Sequence, residues 1–365
     1  MYGHQGLQDF LFLMLYGGAT MLAMLACCYF LFTRGNLFSS DNVPPRVLRR
    51  WGAAFMASVA ASHVWWYLLG IYYFADDRLM RNIVAIALDR LTLVPLMMCV
   101  LIRMLQDRRR QLWPVLVAIA PIAVGAVICA ITRQDMFEVL TEYYSMFLVL
   151  AFLIYYIRAI RQNNRWLREN YADLERKELW QSMLLLAVVL LIFVAYASNE
   201  GALATEYLSQ VNTFFVIGFI LWRVETLPPL GQWEDLSDKE PVVVGNDGVS
   251  NNTNLDVLLS KICVDNQLYL QHDLTLQQLA TAIGTNRTYL SSFFAQRGIT
   301  YNAYINQLRI DHFIRLYRDG ASSLYSQKAS QLALQSGFYS YSTFSAAFKK
   351  YKGVTVTAWM KNEGA

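Results

Sequence analysis

Asn286–Phe294 and Ser340–Phe348 are built to one plan. Each opens on a side chain suited to cap a helix, Asn286 or Ser340, and each then places aromatic or aliphatic groups on one face. Leu290, Phe293 and Phe294 form that face in the first stretch, Phe344 and Phe348 in the second. The opposite face carries Arg287, Thr288, Ser291 and Ser292 in one case and Tyr341, Ser342, Ser345 and Ala346 in the other. Hydroxyl and guanidinium groups on an open helix face can hydrogen-bond the edges of bases in a major groove. Arg287, Lys349, Lys350 and Lys352 are suited to phosphate oxygens instead. Most of the base-facing groups are short, so recognition by DNA shape takes a larger share.

A second set of reactive groups lies in apolar surroundings. His63, Asp89, Arg90 and Glu142 each interrupt a long hydrophobic run, where an ionisable side chain is costly and marks function by default. At a helical rise, Asp89 and Arg90 lie about 10–12 Å, His63 about 16 Å and Glu142 about 7 Å from the outer ends of their runs. They are expected to converge on an outward-facing pocket for a small polar ligand. Structural pairing within a helix bundle is the competing explanation.

Catalytic constellations are missing. The four histidines, His4, His63, His272 and His312, make no HExxH, and there is no GxSxG, so an enzyme is not expected. The five cysteines form no CxxC; Cys27, Cys28, Cys99, Cys129 and Cys263 are expected as small buried hydrophobes, with no metal and no cofactor.

The elements that must position these groups are all helical. Hydrophobic residues make up 56% of the 365, charged residues only 16%, a balance that excludes an ordinary soluble protein of this length. Seven apolar runs are long enough to cross a bilayer, over about 8–32, 51–74, 82–105, 112–131, 137–157, 180–198 and 205–223. The loops after the first, third and fifth, counted with Arg103 at the end of the third run, carry fourteen Lys and Arg, the others three. That asymmetry sets the N-terminus outside and the C-terminus in the cytoplasm. The first run lacks the basic leader of a cleavable signal peptide. The connection 158–179 spaces Leu167, Tyr171 and Leu174 at helical intervals, which suits either a subunit contact or a helix on a solvated or membrane surface.

Three segments follow: seven spans over 1–225, a linker over 226–254 and a DNA-facing module over 255–365. The linker carries five acids against one Lys, with Pro228, Pro229 and Pro241, and Val242–Val244 is its one candidate strand. The C-terminal module holds 11 Lys and Arg against six Asp and Glu, which favours a polyanionic partner. Ahead of each capped stretch stand Leu279, Ala280, Ile283 and Gly284, or Leu332, Ala333, Gly337 and Phe338. That pattern fits two helix-turn-helix units. Between them Thr300–Arg318 reads as one helix about 28 Å long, near the roughly 34 Å repeat of DNA.

The C-terminal 110 residues resemble the AraC-type family of bacterial transcription regulators. The likeness rests on LTLQQLATAIGTNRTYLSSFF at 274–294, YINQLRIDHFIRLY at 304–317 and GF(x5)F(x3)FKKYKG from Gly337 to Gly353. Val356 stands where that family usually has Pro, and Met360 where it usually has Arg. Both substitutions bear on a terminal helix packed against the second unit. The resemblance implies double-stranded DNA and RNA polymerase as partners; the family's soluble sugar-binding barrel is replaced by the spans.

The expected protein is therefore all-α: a seven-helix transmembrane bundle joined to a cytoplasmic tandem helix-turn-helix domain, acting as a regulator and able to form a homodimer. Two other architectures remain open. One is a tether without a ligand, governed by a partner membrane protein; the other is a transporter-like receptor with a regulatory tail.

Overall fold

The structure, a computed structural model, describes residues 10–38, 44–107, 110–133, 135–172, 174, 203–227, 255–321 and 328–363. It comprises two compact units, Met1–Arg161 with Leu179–Trp233, and Gln162–Glu178 with Glu234–Ala365. Residues 162–178, expected with the spans, group instead with the C-terminal unit.

Six long helices make up the described part of the first unit: α1 (Phe10–Phe32), α2 (Arg46–Leu68, continued by a π turn at Leu69–Tyr73), α3 (Arg78–Met104), α4 (Trp113–Thr132), α5 (Asp135–Asn170, to Arg161 in this unit) and α6 (Leu203–Thr226). Six helical segments, corresponding to six of the seven expected runs, are long and apolar enough to cross a membrane. The remaining run, 180–198, lies outside the described residues, as does Val242–Val244.

Helix α1 packs on α2 and α6, α2 on α3 and α6, and α3 on α4. Small side chains make the α1 contact close: Ala19, Ala23 and Ala26 are buried at helical intervals, and a methyl at Gly52 would stand 3.0 Å from the Phe30 ring. The outer faces are the greasy ones. Met14, Met21, Leu25 and Phe32 on α1 and Leu116, Val124 and Ile131 on α4 are exposed, an arrangement water disfavours and hydrocarbon does not. Cys28 shares that outer face of α1 and is exposed, against the expectation that every cysteine is buried; Cys99, Cys129 and Cys263 are buried.

Helix α2 begins at Arg46, earlier than its apolar run, and carries Arg49 into the bundle. Arg49, expected as a loop charge, is buried and clasps the fully buried Glu225 through one guanidinium edge, Nη2 and Nε, at 2.7 and 2.8 Å. The remaining donors of Arg49 reach the carbonyls of Thr33 and Gly35 at 2.7 and 2.6 Å. Tyr29 donates to Glu225 at 3.1 Å. Such a cluster survives burial because each charge is paired and its hydrogen-bonding positions are filled.

The second unit adds α7 (Leu276–Ala282), α8 (Arg287–Gln296), α9 (Tyr301–Ala321), α10 (Ala329–Gln335), α11 (Tyr341–Lys352) and α12 (Val356–Glu363). A helical turn at 255–258 runs into a π segment at Leu259–Asp265, followed by a 3-10 turn at Leu268–Leu270. Two hydrophobic cores share α9. Tyr301 and Ile305 join Leu279, Leu290 and Phe294 in the first; Ile310 and Phe313 join Leu332, Phe344 and Phe348 in the second. Val356 is buried at the start of α12 and Met360 packs on the second core, as expected for a terminal helix.

Candidate functional site

Each recognition helix starts where its sequence calls for a start. Asn286 accepts from the Tyr289 amide at 2.7 Å and Ser340 from the Thr343 amide at 3.2 Å, so one orphan donor of α8 and one of α11 are satisfied by side chains. Thr275 and Gln278 form a reciprocal capping box on α7. The turn glycines Gly284 and Gly337 have φ of +74° and +87°. At Gly337 a second constraint applies, because a Cβ would lie 2.8 Å from the Leu270 backbone.

The buried faces of α8 and α11 are those expected, with Leu290, Phe293 and Phe294 on one and Phe344 and Phe348 on the other. Thr288 and Ser292 are exposed on α8 and Ser291 is half-buried; on α11 Tyr341, Ser342 and Ala346 are exposed and Ser345 is half-buried. Lys349, Lys350 and Lys352 crowd the exposed last turn of α11, where cations also suit the helix dipole. Lys352 stands 3.9 Å from Asp311 and over the Tyr351 ring.

Arg287 is placed differently from its neighbours. Its Nε donates to Asn170 Oδ1 at 2.6 Å, and its guanidinium lies 5.7 Å from the centre of the Trp166 ring. Asn170 and Trp166 come from the last turns of α5, which here belong to the same unit. The chain just beyond is fixed too. Asn302 donates to the carbonyls of Tyr171 at 3.2 Å and Ala172 at 2.6 Å, Tyr171 bridges Thr275, and Ala172 is buried in the first core. Of the 158–179 stripe, Leu167 and Tyr171 are buried within their own chain and Leu174 is half-buried.

Arg309 was not singled out by sequence, although it follows Ile305 by four residues and so shares the buried face of α9. It is 1% exposed and donates to the carbonyls of Tyr269 and Gln271 at 2.7 Å each. His272 in that segment meets the Gly337 carbonyl at 3.1 Å, so the stretch 269–272 is tied to α9 by Arg309 and to the turn ahead of α11 by His272. Burial beside the cationic Arg315 lowers the His312 pKa, and burial pushes the Cys263 thiol up to about 12.

In the first unit a cavity of about 400 Å³ is lined by Ser62, His63, Trp66 and Asp89 at its polar end, with Gln210 and Asn212 from α6. Asp89 accepts from Ser62 at 2.6 Å, Trp65 at 3.2 Å and Trp66 at 2.7 Å. His63 meets the Val59 carbonyl through Nδ1 at 2.9 Å and Gln210 through Nε2 at 3.1 Å, while Tyr16 donates to the His63 carbonyl. Tyr16, Ser209 and Thr213 add further polar groups, and the remaining wall is apolar, from Phe55, Met97, Leu101 and Phe152 among others.

Of the four expected pocket residues, the structure brings His63 and Asp89 together and leaves out the other two. Arg90 follows Asp89 by one position, hence about 100° around α3, and donates to Thr141 at 3.3 Å away from the cavity. Glu142 does not line it. Depth along a helix was legible in the sequence, but azimuth was not. Among the described residues no group of His, Cys, Asp and Glu could hold a metal.

Compared with known families, residues 279–362 match the one described as "Helix-turn-helix domain". No curated protein and no solved structure matches the chain. The match covers both recognition helices and α9 between them, and it supports the AraC-type resemblance. Residues 279–362 are thus similar to a helix-turn-helix domain, which supports a DNA-binding transcription regulator.

Proposed function

We propose that the chain is a membrane-anchored, sequence-specific transcription regulator whose spans carry a ligand cavity. The observation that carries the DNA reading is the pair of capped helices, α8 and α11, packed on the two halves of one 21-residue helix and exposing polar side chains. At about 1.5 Å per residue α9 is roughly 31 Å long, enough to serve two successive major grooves of one duplex. Double-stranded DNA is the partner. RNA polymerase and a second copy of the chain are further partners consistent with this class, and the bilayer holds the apolar helices with the C-terminus in the cytoplasm. Base readout falls to Thr288, Ser291, Ser292, Tyr341, Ser342, Ser345 and Ala346, and phosphate binding to Lys349, Lys350 and Lys352; Arg287 serves either when released.

The cavity favours a small amphiphile. Among the described residues its wall carries one carboxylate and no Lys or Arg, so an anionic ligand is disfavoured, while a hydrogen-bond donor facing Asp89 and an apolar body are accommodated. Footprinting with the full chain in nanodiscs tests the DNA reading. Protection of about two helical turns at a selected site, lost steeply with salt, is expected. Equal affinity for that site and for random duplex across the salt range overturns it.

A further inference from the structure

We propose that the segment Trp166–Ala172 is an internal competitor of DNA, a latch that withholds Arg287 from the duplex. The inference rests on the regulator reading and adds its regulation. Arg287 is the first residue of recognition helix α8 and, of the DNA-facing candidates on that helix, the one with a long cationic side chain. The structure spends that side chain on Asn170 and Trp166, at 2.6 Å and 5.7 Å. Both contacts use the chemistry a nucleic acid would use. The amide oxygen of Asn170 occupies the donor that a phosphate or a guanine would take, and the indole face of Trp166 takes the place of a second polar neighbour.

Three further contacts show that the segment is seated rather than merely near. Asn170 is 5% exposed and its own amide is tied to the Trp166 carbonyl at 2.6 Å, which aims its oxygen outward at Arg287. Tyr171 bridges Thr275 at the start of α7, and Asn302 at the start of α9 grips two successive carbonyls. The segment therefore touches α8 and the starts of the two helices flanking it in sequence. A group held this way is released only if something else binds Arg287 better or if the segment itself is displaced, so DNA affinity and latch position are linked in both directions.

The test uses full-length protein in nanodiscs and a duplex selected for binding. Asn170→Ala with Trp166→Ala removes the grip and is expected to raise affinity about fivefold or more, the lower range of measured couplings. Asn170→Asp replaces a neutral acceptor by a charged one, strengthens the hold on Arg287, and is expected to lower affinity. Opposite signs separate a latch from a merely structural role, since damage to the fold moves both variants downward. In an Arg287→Ala background both effects should vanish. If the variants bind as wild type does, or both bind more weakly, the latch is overturned while the regulator reading stands. If no form prefers its selected duplex to random DNA, both fall together.

Discussion

At the scale of single residues, the two turn glycines separate conformational cost from steric cost. Gly284 and Gly337 share a left-handed φ, yet a Cβ at Gly284 meets nothing within 4 Å and one at Gly337 runs into the Leu270 backbone. Gly284→Ala is therefore expected to cost about 1–2 kcal/mol, the ordinary penalty for an L-residue in that region. Gly337→Ala should cost distinctly more, because the neighbour that must move is main chain held by Arg309. Equal losses in denaturant midpoint would contradict this. His312 gives a second residue-scale expectation. Its pKa is depressed in the folded unit, so the unfolded chain binds the proton more readily. The stability it contributes is present above the unfolded value of about 6.5 and is lost as pH falls through the lower folded value. His312→Gln should flatten the acid limb of a stability-against-pH curve as pH falls below about 6.5, whereas an unchanged limb would remove His312 as its source.

At the scale of elements, what the sequence disclosed and what it hid divide along one line. Features set by local chemistry were legible: the caps Asn286 and Ser340, the turn glycines, the buried aromatics of α8 and α11, and the length of α9. Those depend on a residue and its near neighbours. Features set by distant partners were not. Nothing in the order of residues ties Arg49 to Glu225, or Arg287 to Asn170, across separations of 176 and 117 positions. Hydropathy marked where an apolar run begins, but α2 starts earlier, at Arg46, and carries Arg49 to its partner Glu225. Glu225→Gln leaves that arginine without its counter-charge and is expected to destabilise the first unit by about 3 kcal/mol, measured as a lowered unfolding midpoint in detergent. A wild-type midpoint would mean the pair adds nothing. Within α11 the lysines and the short polar residues should also part company. Lys349→Ala with Lys350→Ala is expected to weaken binding alike on all duplexes and to flatten the salt dependence by about one contact each, while Ser342→Ala changes the preferred sequence. A selection returning the wild-type motif for Ser342→Ala would take that serine out of the readout.

At the scale of the whole molecule, a signal can act only through a difference in free energy between two states of one chain. Helix α5 supplies residues to both compact units: Phe152 lines the cavity, and Trp166 and Asn170 hold Arg287. A ligand in the first unit can act on DNA binding only by favouring one state of the chain over another. This fixes which substitutions should disturb signalling. Asp89→Asn and His63→Ala change groups in the cavity wall and are expected to shift reporter output per molecule about fivefold, toward a constant level with or without the inducing condition. Arg90→Ala and Glu142→Gln change groups outside it and should leave the response per molecule intact, even where they lower the amount of protein. Reporter induction divided by membrane protein level is the measurement that distinguishes these. A normal ratio for Asp89→Asn and His63→Ala would retire the cavity as the sensing site and favour a tether governed by a partner. An altered ratio confined to Arg90 and Glu142 would move the site to the other face of α3.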